Sequence, residues 1–135
     1  MPSEPTPRLV YDRPPLDEVI RAFTNGVAVR TGKVTLDLSP LVENGNAVPV
    51  KVTVESPMTE ADHVRRIALF NERNPQPDIA IFHLFPGAGR AEVATRIRLA
   101  TSQKVAAVAE MADGGFWMAE ASVVVTLAAC IEDLI

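Results

Sequence analysis

Val48-Pro49-Val50-Lys51-Val52-Thr53-Val54 is the stretch that decides the fold. Valine stands at every second position, with proline, lysine and threonine between. Side chains alternate across a strand, so this period of two reads as a β-strand with one face in the core. Pro49 has no N–H to give to a ladder. It predicts an edge strand, or a bulge at that position.

The same period extends outward. Upstream, Val34, Leu36 and Leu38 alternate with Lys33, Thr35 and Asp37, and Asn44-Gly45 marks the turn between the two strands. Downstream, Ser56-Pro57 ends the strand and a polar loop runs to His63. Further apolar runs occupy residues 64–70, 79–85, 93–99 and 105–111, separated by turn-forming stretches such as Asn74-Pro75-Gln76-Pro77, Gly87-Ala88-Gly89 and Asp113-Gly114-Gly115. A last strand carries Val123-Val124-Val125, whose apolar residues on both faces predict burial on both sides, and runs out toward Cys130. The alanine-rich run at 105–112 is compatible with a helix as well as a strand. Seven short strands with turns between them predict an all-β fold, an immunoglobulin-like antiparallel β-sandwich. Val48, Val50, Val52, Val54, Ile97 and Leu99 are its expected inward residues.

Before the strands lies one helical signal at residues 16–24. Leu16, Val19, Ile20 and Phe23 share a face, Asp17 and Glu18 suit the first turn, and Gly26 follows as a stop. Its polar face is not basic, so it is expected to dock on the domain rather than on a membrane. Residues 1–15 hold five of the eleven prolines and read as an extended or disordered lead-in. The expected organisation is therefore lead-in 1–15, one domain 16–130 and a tail 131–135.

Composition narrows the function classes. The net charge is −4 with dispersed Lys and Arg, which argues against a nucleic-acid surface. No apolar run approaches a membrane span of about 20 residues. No apolar stretch of signal-peptide type follows Met1, so the chain is either cytoplasmic or begins after a removed signal. The single cysteine cannot form an internal disulfide.

Cys130 is the candidate chemical centre. Three residues past a strand ending at Leu127, its sulfur would reach roughly 10 Å from the sheet. The opposing reading is a small buried hydrophobe. His63 and His83 with Cys130 would suit copper only if they clustered, and no His or Met follows Cys130; zinc spacing is absent too. A cysteine-protease dyad would need His83 beside Cys130 through folding. Arg96 and Arg98 with Glu92 could bind an anion, against the plainer reading of a solvated face. Trp117 reads as core. No metal or cofactor is expected.

Several segments in one order carry a resemblance: Glu43-Asn44-Gly45-Asn46 with Val48-Pro49-Val50, then Asn74-Pro75, then Thr95-Arg96-Ile97-Arg98-Leu99-Ala100, then the closing strand and Cys130. Over roughly residues 16–130 the chain resembles SoxY, the sulfur-carrier subunit of the bacterial thiosulfate-oxidising system. The resemblance implies an immunoglobulin-like sandwich with an N-terminal helix, a periplasmic location and a heterodimer with a second β-sandwich, SoxZ. It also implies that Cys130 is the attachment point for sulfur intermediates. These would be presented in turn to cytochrome, sulfate thiohydrolase and sulfur dehydrogenase partners, the carrier itself not being an enzyme. Self-pairing would substitute when SoxZ is absent. The family's arm ends Gly-Gly-Cys-Gly-Gly, whereas this chain has Ala128-Ala129-Cys130-Ile131-Glu132. Alanine and β-branched isoleucine are stiffer than glycine, and the acidic residues Glu132 and Asp133 disfavour an anionic cargo. The alternatives left by the residues are an immunoglobulin-like interaction module that does not conjugate, and a thiol enzyme.

Overall fold

The structure, a computed structural model, describes residues 13–127. It contains one α-helix, α1 (Leu16–Phe23), and nine strands: β1 (Val29–Thr31), β2 (Val34–Asp37), β3 (Leu41–Asn44), β4 (Val48–Val54), β5 (Val64–Asn71), β6 (Asp78–His83), β7 (Ala91–Ile97), β8 (Gln103–Met111) and β9 (Phe116–Leu127). They form the expected immunoglobulin-like all-β sandwich. A six-stranded sheet runs β1-β9-β8-β5-β6 with β3 also on β9, and a three-stranded sheet runs β2-β4-β7.

β4 has the predicted alternation, and all six residues expected to face inward are buried. Its placement differs from the expectation. β4 is the middle strand of its sheet, not an edge. The proline is accommodated because β2 stops short: their register runs from Val34 opposite Val54 to Asp37 opposite Lys51. Pro49 lies beyond that and faces only Arg96 of β7. The strand is central along most of its length and a local edge where the N–H is missing.

β5 and β8 are buried on both faces, which explains their unbroken apolar runs. Ile67, Leu69, Val105, Ala107 and Ala109 face the three-stranded sheet. Ala68, Phe70, Ala106 and Val108 face the other way and pack under Leu16 and Ile20 of α1. Of the alanines that made 105–112 read as helical, Ala106 is a small side chain beneath α1, while Ala107 and Ala109 pack between the two sheets. A free eight-residue helix is unstable in water, so α1 depends on this packing. Phe23 closes it, edge-on to Phe70 at 5.3 Å and to Phe116 at 6.0 Å. The Arg66 guanidinium lies over the Phe23 ring at 4.4 Å while its Nε pairs with Glu110 at 2.5 Å.

Two further expectations are corrected. Among the described residues there are nine strands rather than seven, and not all pairs are antiparallel. β1 and β3 both run parallel to β9, one beside each half of it. They are too short to carry a periodic signal, and the twelve-residue β9 supplies their pairing. Second, β9 is not buried on both sides: Val123 is 2% exposed but Val124 is 54% exposed. β9 has strands on both edges yet, at this end, a core on only one face.

Candidate functional site: the root of the C-terminal arm

The described chain ends with β9 at Leu127, three residues before Cys130. Cys130 itself, with the tail at 131–135, lies outside the described residues, as does the lead-in up to residue 12. What the structure shows is how the strand leading to the cysteine is held.

It is held from both edges. On one side β3 runs alongside, Leu41 opposite Val124 and Asn44 opposite Leu127. The turn after β3 then closes over it: Gly45 N–H donates to the Leu127 carbonyl at 2.9 Å, and the Gly45 carbonyl accepts from Leu99 N–H at 2.8 Å. The Asn44 side chain shapes that turn by accepting from Asn46 N–H at 2.9 Å. On the other side Ser102 Oγ accepts from Val125 N–H at 2.8 Å. Replacing Ser102 with Ala leaves that N–H without its partner, and the expected cost is about 1 kcal/mol. Faster amide exchange at Val125, with slower-exchanging β5 unaffected, is the measurement that checks it.

Ser102 is in turn positioned by a buried polar knot. Asn74 Nδ2 donates to the Arg98 carbonyl at 2.7 Å, and its Oδ1 accepts from Ala100 N–H at 2.9 Å and from Gln103 Nε2 at 2.8 Å. Gln103 Nε2 also donates to the Thr101 carbonyl at 3.0 Å, and its Oε1 accepts from Arg73 N–H at 2.8 Å. Asn71, 1% exposed, accepts from Asn74 N–H and donates to the Gln76 carbonyl. Buried amides carry both donors and acceptors, so a side chain satisfied on every side fixes a loop that has no ladder of its own.

Arg13 completes the knot. Its two terminal nitrogens donate to Asn71 Oδ1 at 2.6 Å and to the Asn71 carbonyl at 2.5 Å, with a third contact to the Asn74 carbonyl at 3.1 Å. Desolvation by burial pulls its pKa below the usual arginine value, with Glu72 and Asp78 opposing. Arg13, near the end of the proline-rich stretch, is thus docked on the domain. Arg13, Gln103 and Ser102 were missed by sequence reasoning because their partners come from distant segments. Asn74 was visible as a turn former and within the resemblance, but not as a buried anchor.

The three internal segments that carried the resemblance therefore meet at one place. Residues 43–46 clamp β9 from one edge, Asn74 anchors residues 98–100, and the loop so held presents Ser102 to the other edge. The root is solvent-facing: Leu127 is 64% exposed and Leu41 60%.

The other sequence candidates are not brought together. His63 Nδ1 braces its own loop through the carbonyls of Thr59 and Glu60 at 3.0 and 3.1 Å. His83 is on the edge strand β6, opposite Arg66. Among the described residues no group of three or more His, Cys, Asp or Glu is placed to hold a metal. Glu92 pairs with Arg90 at 3.8 Å and not with Arg96, which faces Pro49. Pro86–Ala88 is a single 3-10 turn.

Comparison with known proteins agrees with this geometry. A family model described as sulfur oxidation protein SoxY matches residues 20–130. The structure is similar to that of the sulfur carrier protein SoxY from Chlorobium limicola f thiosulfatophilum, with 26% identity, a TM-score of 0.69, and 83% of this chain and 96% of that one covered. It also resembles the superoxide reductase (neelaredoxin) of Ignicoccus hospitalis at 21% identity and TM-score 0.62, covering 70% of this chain and 81% of that one. A putative superoxide reductase from Thermotoga maritima gives 19% identity and TM-score 0.59, with 76% and 89% covered. These last two likenesses are of fold alone. Among curated proteins no match was found. With the family match spanning most of the chain and its characteristic segments converging on the last strand, the chain belongs to the SoxY family of sulfur oxidation proteins.

Proposed function

We propose that the protein is a covalent carrier of sulfur intermediates, with Cys130 as the attachment point. The observation that carries this reading is the clamped, solvent-facing end of β9, three residues before the only cysteine, in a chain of the SoxY family. A firmly held root and a thiol whose chain can reach about 10 Å beyond it suit presentation of one group to several partners. The thiol and thiosulfate join by losing two electrons and a proton, giving Cys–S–S–SO3⁻. The electrons go to a haem-type acceptor on a separate protein. Water then removes the sulfonate as hydrogen sulfate and leaves a persulfide. The domain contributes orientation and docking and performs no catalysis.

Partners follow from the same reading: a SoxZ-like β-sandwich as a constant subunit, with cytochrome, thiohydrolase and dehydrogenase visiting in turn in the periplasm. The edge strand β6 supports a partner surface, since it leaves Ile81 43% and the neighbouring Phe85 72% exposed. The sequence Ala128-Ala129-Cys130-Ile131-Glu132 favours a second reading, an interaction module that no longer conjugates.

Thiol labelling separates the two. A carrier's Cys130 reacts with a maleimide within a factor of about ten of a free thiol at the same pH; a hundredfold slower reaction supports the inert module. Replacing Ala128, Ala129, Ile131 and Glu132 with glycine removes side-chain bulk and one negative charge. It is expected to raise the labelling rate about threefold to tenfold. Unchanged kinetics would show that stiffness and charge do not restrain the thiol.

A further inference from the structure

At the pole of the sandwich opposite the arm root, a cleft of about 470 Å³ opens beside the protein's single tryptophan. Its walls include Val27, Arg30, Lys33, Asp113, Phe116 and Trp117. Two cations lie over one indole ring: the Arg30 guanidinium at 5.5 Å from its centroid and the Lys33 ammonium at 5.2 Å. The backbone is bent to put them there. Lys33 is held at φ 57 and Gly32 at φ 124, and a Cβ on Gly32 would stand 3.2 Å from Trp117 Cζ3. A non-glycine residue in the left-handed region costs energy that surrounding structure must hold in place.

Neither cation has an ion pair among the described residues. The carboxylate in the cleft, Asp113, uses Oδ1 to accept from Gly115 N–H at 2.8 Å. Val27 beside it is 47% exposed. The cleft thus offers two positive charges and an apolar wall, in a chain whose net charge is −4.

The complement stands in the same sequence, at Ile131-Glu132-Asp133-Leu134-Ile135: two adjacent carboxylates between apolar residues. It cannot reach the cleft of its own molecule. Ten residues of β9 separate Trp117 from Leu127, about 33 Å of strand. Five or six residues beyond Leu127 span at most about 20 Å. We infer that the Trp117 cleft receives the 131–135 segment of a second copy, Glu132 and Asp133 meeting Arg30 and Lys33. Reciprocal insertion of the two tails closes into a two-fold dimer, and one-way insertion propagates head-to-tail. Either contact places the residues flanking Cys130 against a neighbour and so couples self-association to thiol access.

Trp117 reports on the cleft directly. A synthetic peptide of residues 127–135, with Cys130→Ser to exclude thiol chemistry, is titrated into the full-length protein while tryptophan emission is read. A saturable shift is expected. It should weaken about tenfold for a peptide carrying Glu132→Gln and Asp133→Asn, and similarly for the protein carrying Arg30→Gln and Lys33→Gln. Raising the salt should weaken it as well. In sedimentation of the full chain, Lys33→Glu should reduce association and adding Glu132→Lys should restore it. No shift, an equal shift with the uncharged peptide, an equal shift with sodium sulfate at the same concentration, or failure of the charge swap to restore association would each overturn the inference. Unaltered melting of the exposed-site variants excludes misfolding as the cause.

Discussion

Asn74→Ala is expected to lower the stability of the domain by about 2–4 kcal/mol and its melting temperature by roughly 10 °C. The side chain makes three hydrogen bonds, to the Arg98 carbonyl, the Ala100 N–H and the Gln103 amide. Alanine removes the partner from all three at once. Buried polar groups left unpaired cost more than the bonds themselves contribute, because no water takes the vacated place. Chemical denaturation with an unchanged slope but a lower midpoint would report this as a loss of native stability. The local consequence should be larger than the global one. Without Asn74 the loop at residues 98–102 loses its brace, and Ser102 its fixed approach to β9, so exchange at Val125 should quicken beyond what the global change explains. A destabilisation under about 0.5 kcal/mol would mean that the knot is solvated and that the root is held by β3 alone.

Cys130→Ser is expected to abolish sulfur conjugation altogether, while leaving the melting temperature within about 1 °C of the parent. The hydroxyl is a poor nucleophile toward sulfur and forms no stable bond to a sulfane group, so no residual adduct is expected. The small effect on melting follows from position. The residue lies beyond a strand end whose last side chain, Leu127, is already 64% exposed, so little burial is at stake. A fall of several degrees would indicate that Cys130 packs into the domain, and would favour the module that does not conjugate.

The sandwich was legible because its decisive strand has one face in the core and one in water. Val48 to Val54 could hardly be read otherwise, and every valine of that stretch is buried. The helix was legible for the same reason at a different period. β8 was ambiguous because burial on both faces erases periodicity: Ala106 lies beneath Leu16 and Ile20, while Ala107 and Ala109 face the other sheet. β1 and β3 were invisible, since three or four residues carry no pattern and their parallel pairing to β9 is a tertiary fact. Pro49 was read correctly as a missing donor and wrongly as a sheet edge. The end of β2 two residues earlier in register is what reconciles the two.

The candidate site was legible in part. Cys130 stood out as the lone thiol near a strand end, and the segments of the resemblance marked the right neighbourhood. Their physical reason was not readable: Gly45 matters for its N–H on Leu127 and its carbonyl on Leu99, and Asn74 for bonds reaching residues 24 to 29 positions away. Arg13 lay in a proline-rich stretch with no apolar pattern. Side chains that act through polar contacts leave no periodic trace.

The central claim is that Cys130 carries sulfur, and intact mass measures it most directly. The protein is incubated with thiosulfate and a haem-type electron acceptor, with and without prior blocking of the thiol. The expected result is a mass increase of one S2O3 group per chain, reversed by a thiol reductant and absent from blocked protein and from Cys130→Ser. An unchanged mass for a thiol that a maleimide labels readily would contradict the account.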